Sequence, residues 1–368
     1  MKPRALIFTK RVLPASNTFV ASQGNALSDF EPVYIGLRHD PSGRSLIDGS
    51  STCILQDYTR FPGLARAMLD GLQRLSPAWR DALTDHQAVI LHAHFGKGGY
   101  YCSPIAGALD LPLLTTFHGS DITQRDRLSY GRRHRETVFD RSERIIAVSK
   151  FIEGKLIEAG CPADKVLRHY IGIDTRFFSP GQQKRERPTI LFVGRLIEQK
   201  GCQYLLQAMK TINRELPDAE LLVAGYGSYE ATLRRAAEDL RNVSFLGAQN
   251  RGEVRELMAE AWVTCLPSIR MARGNEEGLT TVAVESQAVG TPVVGFETGG
   301  VPEAVADQKT GLLCREKDVD ALADRLLQVL RSPRLRDELA SNGIARVNDL
   351  FCISKQTRKL EEIYHSVL

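Results

Sequence analysis

TILFVGRLIEQKG, residues 189–201, reads as a strand that ends in glycine and turns into a helix. Thr189 to Val193 form a β-rich, nearly continuous apolar run, the pattern of a parallel strand covered on both faces. Gly194 then lets the backbone approach a ligand, and the helix opening after Gly201 presents N–H groups to an anion. Arg195 and Lys200 add a planar fork of donors and a point charge, a pair suited to a diphosphate. Taken alone, the same two cations would also suit a solvated surface loop.

The strand has nine counterparts. ALIF (5–8), VYIG (33–36), AVIL (88–91), LLTTF (113–117) and RIIAV (144–148) precede it; ELLVA (220–224), VSFL (243–246), WVTCL (262–266) and PVVGF (292–296) follow. Between two of them, Tyr204, Leu205, Ala208, Met209, Ile212 and Leu216 repeat at helical spacing. Strand–helix alternation of this kind predicts an α/β protein with parallel sheets and crossover helices. It breaks at FSPGQQKRERP (178–188), a polar stretch with Pro and Gly that is the best linker in the chain. Two doubly wound domains are therefore expected, residues 1–180 and 181–350. Facing each other they would make a cleft, with ligands at the carboxyl ends of the strands.

Composition agrees with two soluble domains. The chain has 368 residues, 43% of them hydrophobic and 25% charged. Seven cysteines, scattered and never spaced as CxxC, point to reduced thiols in a cytoplasm and not to disulfides or a zinc site. The N-terminus reads as a first strand and not as a signal peptide, and no apolar run approaches the ~18 residues of a membrane span. The net charge of +4 is uneven: 23 Lys and Arg face 18 Asp and Glu in residues 1–183, against 25 and 26 beyond. Nucleic-acid binders carry a much stronger bias, so nucleic acid is not an expected partner. An anionic membrane surface or acidic substrate is compatible with the basic first half.

GNEEGLTTVAVE (274–285) complements the cationic turn. The loop is expected to enter a helix near Leu279 and Thr280, leaving the N–H groups of Gly278, Leu279 and Thr280 free for phosphate. Glu277 then lies before the helix and Glu285 inside it. Carboxylates repel phosphate but accept hydrogen bonds from sugar hydroxyls, so one glutamate for each sugar of a nucleotide-sugar fits the spacing. A capping glutamate on a solvated helix face is the other reading. Glu276 has no assigned task and is expected to face solvent.

In the first half, LHAHFGKGG (91–99) and TTFHGSDI (115–122) place histidines just after strands. His118 should project at the mouth of the cleft, as polar lining or in catalysis. His92 and His94 have no third ligand at a convincing spacing, so no metal site is expected. No GxGxxG or GxxxxGK[ST] appears, and Gly225-Tyr226-Gly227 lacks its third glycine, which argues against a nicotinamide oxidoreductase.

Together these segments resemble the family-four retaining glycosyltransferases, which have the GT-B fold of two facing Rossmann-like domains. The resemblance runs through TFHGSD (116–121), RIIAVS (144–149), IGIDTRFF (171–178), VGRLIEQKG (193–201), VAGYG (223–227), FLG (245–247), EGLTTVAVESQAVGTPVV (277–294), GGVPE (299–303) and GLL (311–313). The E-x7-E element at Glu277 and Glu285 is its most diagnostic part. It implies that Arg195, Lys200 and the N–H groups of Gly278, Leu279 and Thr280 bind the diphosphate of a UDP- or GDP-sugar, and that Glu285 holds the ribose. It implies that Glu277 and His118 contact the transferred hexose as catalytic residues. It implies no metal or other cofactor, retention of anomeric configuration, and a last helix over 351–368 that recrosses to the first domain.

Two departures stand out. Many members have a Gly-Gly loop after the first strand, where this chain has LPASNTFV (13–20). That is closer to the Ser-x-Thr-Phe variant of bacterial exopolysaccharide and surface-polysaccharide transferases, and it makes Ser16, Asn17 and Thr18 acceptor-side candidates. Thr280 stands where the family often has proline. The acceptor is then a saccharide or lipid-linked saccharide, met in the cytoplasm at the inner face of the membrane. GRRHRETVFDR (131–141), with Arg125 and Arg127, could touch anionic lipid or serve as a solvated helix. A second candidate for that contact is the helix-like 64–75, LARAMLDGLQRL, whose apolar face is expected to pack in the core. A glycan phosphorylase or synthase of the same architecture, and a non-catalytic nucleotide- or glycan-binding subunit of a polysaccharide assembly complex, are the alternatives.

Overall fold

The computed structural model describes residues 2–13, 17–47, 49–124, 131–181 and 184–368. The chain divides into two units, Met1–Gly172 with Ile353–Leu368, and Ile173–Cys352. In the first, strands β1 (Arg4–Phe8), β2 (Glu31–Gly36), β3 (Ser51–Ile54), β4 (Ala88–His94), β5 (Leu113–Phe117), β6 (Arg144–Ala147) and β7 (Val166–Arg168) form one sheet. All its pairings are parallel, in the order β3-β2-β1-β4-β5-β6-β7.

The second unit repeats the scheme with β8 (Thr189–Val193), β9 (Glu220–Ala224), β10 (Val243–Gly247), β11 (Val263–Leu266), β12 (Val293–Phe296) and β13 (Gly311–Cys314). Their order is β10-β9-β8-β11-β12-β13, again all parallel. In each sheet the strand order reverses beside the first strand, between β1 and β4 and between β8 and β11. Loops leaving the carboxyl ends there diverge and open a crevice. Both faces are covered: β5, β11, β12 and β13 are buried at every residue, which is why their sequences run apolar without alternating.

All ten runs read from the sequence are strands. β3, β7 and β13 were not among them; they are three or four residues long, and β3 and β7 are the sheet's two edges.

The division between units falls at 172/173 and 352/353, not at 180/181 and 350/351. Residues 173–181 pack on the second unit: Phe178 is buried, and the Arg251 guanidinium lies 4.4 Å from the Phe177 ring and 5.2 Å from Phe178. Arg185 pairs with Glu260 at 3.1 Å, so the polar stretch 178–188 is not a free linker. The last helix, Ile353–His365, belongs to the first unit. Its Glu361 carboxylate accepts the N–H groups of Ser28 and Asp29, each at 2.6 Å, and Tyr364 Oη meets His92 Nδ1 at 2.7 Å.

Candidate functional site

At the switch point of the second unit, β8 ends and the chain turns through Gly194 and Arg195. These two line a pocket with Tyr226, Gln249 and Val254 at the carboxyl ends of β8, β9 and β10. The turn continues to Lys200 and Gly201, which are clipped to the segment after β11: Ile269 N–H donates to the Gln199 carbonyl at 2.8 Å. Gly201 has φ +71, and a Cβ there would overlap the Pro267 carbonyl, so only glycine fits. That close approach aims Lys200 at the loop carrying Glu277.

Lys200 Nζ lies 2.8 Å from Glu277 Oε1, the two side chains being 21% and 12% exposed. The contact is an ion pair. Burial pushes the Glu277 carboxyl up, but Lys200, Ser268 and Arg195 pull it down further, so it stays below the ordinary carboxylate range. The Glu277 backbone is held by the turn after β12. Gly300 N–H donates to its carbonyl at 2.9 Å, and Gly299, at φ +52, packs so closely that a Cβ would overlap the same oxygen.

The helix Thr281–Ala288 starts where the sequence predicts, with Thr280 as N-cap and no side-chain cap. Among the described residues, the N–H groups of Gly278, Leu279 and Thr280 make no hydrogen bond, although all three residues are buried. Buried donors left open at a helix N-terminus are an anion site in waiting. One turn in, Glu285 is half-buried, and burial pushes its carboxyl up to about 7 against the pull of Arg251.

Arg251 was not singled out from the sequence. It opens the helix Arg251–Glu260, and only its placement beside Phe177 and near Glu285 marks it. Ser268 was missed for the same reason, whereas the glycines of GGVPE were visible as a motif without a task. Glu276 corrects an expectation. It does not face solvent: it is 7% exposed and pairs with Arg270 Nε at 3.1 Å, because the loop turns it inward while Glu277 points to Lys200.

The first unit gathers the histidines. His118 Nε2 lies 3.1 Å from His94 Nδ1, and the two rings stack at 5.3 Å. Phe19 and Phe95 pack on His118 at 4.9 and 4.6 Å. Among the described residues, His118 Nδ1 has no hydrogen-bond partner. Burial first, then neighbouring His92, lowers its pKa to about 3, and burial drives His92 and His94 well below the ordinary value. All three rings are therefore neutral near pH 7. The turn bearing His118 is fixed by Asp121, whose carboxylate accepts the N–H groups of Gly119 (2.7 Å), His118 and Gly96 (both 3.1 Å). Asn17 and Thr18 stand at the start of the helix Thr18–Asn25, beside Phe19; Ser16 lies outside the described residues, as do Arg125 and Arg127. Among the described residues no three His, Cys, Asp or Glu side chains group to hold a metal ion, and no helix is long and apolar enough to cross a membrane.

Two doubly wound parallel-sheet units, with open N–H donors and cations converging on one helix N-terminus, define a GT-B glycosyltransferase architecture. The chain belongs to that family. Residues 37–177 match the profile of Glycosyltransferase Family 4, and residues 174–346 match that of Glycosyl transferases group 1.

It is 32% identical over 249 residues to the amylovoran biosynthesis glycosyltransferase AmsK of Erwinia amylovora, covering 66% of this chain and 61% of AmsK. It is 35% identical over 190 residues to a GDP-mannose-dependent monoacylated alpha-(1-6)-phosphatidylinositol monomannoside mannosyltransferase of Corynebacterium glutamicum, covering 48% and 50%. The chain spans less than two thirds of the length of these curated relatives and of the colanic acid glycosyltransferases it also matches. Among solved structures, Anabaena HepE in complex with UDP and glucose superposes with a TM-score of 0.78 at 18% identity, covering 99% of this chain and 100% of HepE.

Proposed function

We propose that this chain transfers a hexosyl group, with retention, from a UDP- or GDP-sugar to a saccharide or lipid-linked saccharide acceptor in bacterial surface-polysaccharide or exopolysaccharide synthesis. The observation that carries the reading is the junction of Lys200, Glu277 and the open N–H groups of Gly278, Leu279 and Thr280. Donors and a cation for a diphosphate meet a carboxylate for sugar hydroxyls at one point. Arg195 adds charge, and Glu285 takes the ribose. The pocket of Tyr226, Gln249 and Val254 takes the base. The fold shared with a UDP- and glucose-bound protein and the kinship with AmsK support the same reading.

The chemistry asks little of a protein nucleophile. The bond from the anomeric carbon to the diphosphate oxygen breaks while the acceptor oxygen bonds on the same face. The acceptor proton passes to the departing diphosphate. Lys200, Arg195 and the helix N-terminus stabilise the charge growing on that diphosphate, which is the role a metal would otherwise fill. Glu277 and His118 bind hydroxyls of the hexose. We place the reaction in the cytoplasm, at the membrane's inner face when the acceptor is a lipid.

A thermal-shift screen of UDP-, GDP-, ADP- and TDP-sugars tests the reading. A true donor at 100 times its Kd adds about 2.7 kcal/mol of stability. Donor hydrolysis or transfer by the wild type that survives unchanged in both Lys200→Ala and Glu277→Gln would overturn the site.

A further inference from the structure

A second cavity opens at the other end of the second unit's sheet. The turn 306–310 leads into β13 at its amino end, whereas the proposed donor site is built from loops leaving the carboxyl ends of β8 and β11. Between this turn and the end of the helix Pro333–Leu350 lies a cavity of about 450 Å³. That is within the roughly 300–1,000 Å³ of small-molecule sites. Two hydrogen bonds join its walls: Asn342 Nδ2 donates to the Lys309 carbonyl at 3.1 Å, and Arg346 Nη2 donates to the Glu303 carbonyl at 2.7 Å.

Three side chains of this cavity keep a donor in reserve. Arg346 gives Nη2 to Glu303 and its Nε is enclosed without a partner, but among the described residues Nη1 makes no hydrogen bond and is not enclosed. Lys309 is exposed. Thr310 is 3% exposed, and its hydroxyl oxygen accepts Ala306 N–H at 3.0 Å, which leaves the hydroxyl proton to give. Asp349 also lines the cavity, yet among the described residues neither Arg346 nor Lys309 has a carboxylate within ion-pair distance. Two cations and a buried hydroxyl proton thus face one space without an anion. A planar carboxylate is best held by two parallel bonds from a guanidinium, but Arg346 meets a ligand through Nη1 only. Single donors from three residues suit the separate oxygens of a tetrahedral phosphoryl group. Ala306 and Leu350 add apolar wall, and Asn342, its amide nitrogen already engaged, offers Oδ1 to a hydroxyl.

We propose that this cavity binds a hexose monophosphate, with Arg346, Lys309 and Thr310 holding the phosphoryl group and Asn342 a sugar hydroxyl. The ligand is distinct from the nucleotide-sugar, and the inference does not depend on the transferase reading. Inorganic phosphate alone would satisfy the cations but leave Asn342 and the apolar wall unused. A neutral sugar would leave both cations uncompensated. The cavity reaches Leu350, beside Phe351, whose carbonyl accepts Ile173 N–H at 2.8 Å next to the division between the units. A ligand held there touches the segment by which the chain leaves the second unit.

Calorimetry on the full chain with mannose 6-phosphate, mannose, inorganic phosphate and citrate tests the site. Mannose 6-phosphate should bind about tenfold or more tightly than either mannose or phosphate. Lys309→Glu should weaken it by about tenfold or more, from the loss of a charge-assisted hydrogen bond and the reversed charge. Arg346→Gln should do the same, but it also loses the Glu303 contact, so Lys309→Glu, on an exposed side chain, is the deciding variant. Asn342→Leu should weaken mannose 6-phosphate and leave inorganic phosphate unchanged. Saturating UDP or GDP should leave the affinity for mannose 6-phosphate as it was, and both variants at exposed positions should keep the wild-type unfolding temperature within a few degrees. Failure of mannose 6-phosphate to bind, its displacement by UDP or GDP, or an unaltered affinity in Lys309→Glu would each overturn the proposal. Tighter binding of citrate than of mannose 6-phosphate would make the cavity a carboxylate site and overturn it equally.

Discussion

Lys200 and Glu277 hold each other at 2.8 Å, although the diphosphate and the hexose are their separate proposed targets. A bound donor must therefore sit between them or share the cation. Removing either partner leaves the other partly buried and uncompensated, a loss of about 1–3 kcal/mol. A double-mutant cycle on Lys200→Ala and Glu277→Gln should show coupling in thermal unfolding of the free protein, and weaker coupling with a saturating nucleotide-sugar. Equal coupling in both states would mean the donor does not touch the pair. Each single variant should lower kcat/KM by about a hundredfold or more, the usual consequence of losing one electrostatic stabiliser of the transition state.

Glu285 should make nucleotide affinity depend on pH. Its pKa of about 7 means that this carboxyl is protonated in much of the free protein at neutral pH. Ribose hydroxyls donate to the ionised form, so binding expels a proton. Affinity should rise with pH through 7 and level off above about 8, falling about tenfold per unit on the acid side. The sign for stability is opposite: with the folded pKa raised above 4.5, the protonated form's contribution is full below 4.5 and lost as pH rises through 7. Calorimetry across this range in two buffers reads the released proton, and Glu285→Gln should flatten the profile.

The buried histidines give the reverse pH sign. His92, His94 and His118 have folded pKa values depressed below 6.5, so the stability of their neutral forms is present above 6.5 and lost as pH falls toward the folded values. Urea unfolding should weaken between pH 7 and pH 5 by about 1 kcal/mol per unit for each such ring. His94→Phe should reduce that slope while keeping the ring stacking. It should also lower kcat/KM, because His118 loses the bond from Nε2 to His94 Nδ1 that orients it. Turnover itself should show no His118 limb in this range, since that ring stays neutral down to about pH 3. A wild-type acid limb near 6 that disappears in His118→Asn would refute this.

The sheets were legible because ten of their strands carry short, nearly continuous apolar runs, the pattern of parallel strands covered on both faces. β3 begins with Ser51 and Thr52, and β7 carries the exposed Arg168 on a sheet edge, so neither leaves such a trace. Glu277 and Glu285 were legible through their spacing across a helix start, which local geometry governs. The contact from Lys200 to Glu277, and the approach of Arg251 to Glu285, depend on the sheet order β10-β9-β8-β11, and residue order does not encode that directly. Glu276 and Glu277 show the limit at its smallest scale: adjacent identical residues turn to different cations, Arg270 and Lys200, through the path of one loop.

Gly299 should matter to turnover without touching substrate. Its φ of +52 and its overlap with the Glu277 carbonyl mean that a methyl group must push the Glu277 loop away from β12. Gly299→Ala should cost about 1–3 kcal/mol of stability. The displacement acts on Glu277 and leaves Arg195 and Glu285 in place, so kcat should fall while the affinity for free UDP or GDP stays close to wild type. Steady-state kinetics together with nucleotide calorimetry reads this split. If the variant loses nucleotide affinity as much as turnover, the turn supports the whole pocket and not the placement of Glu277.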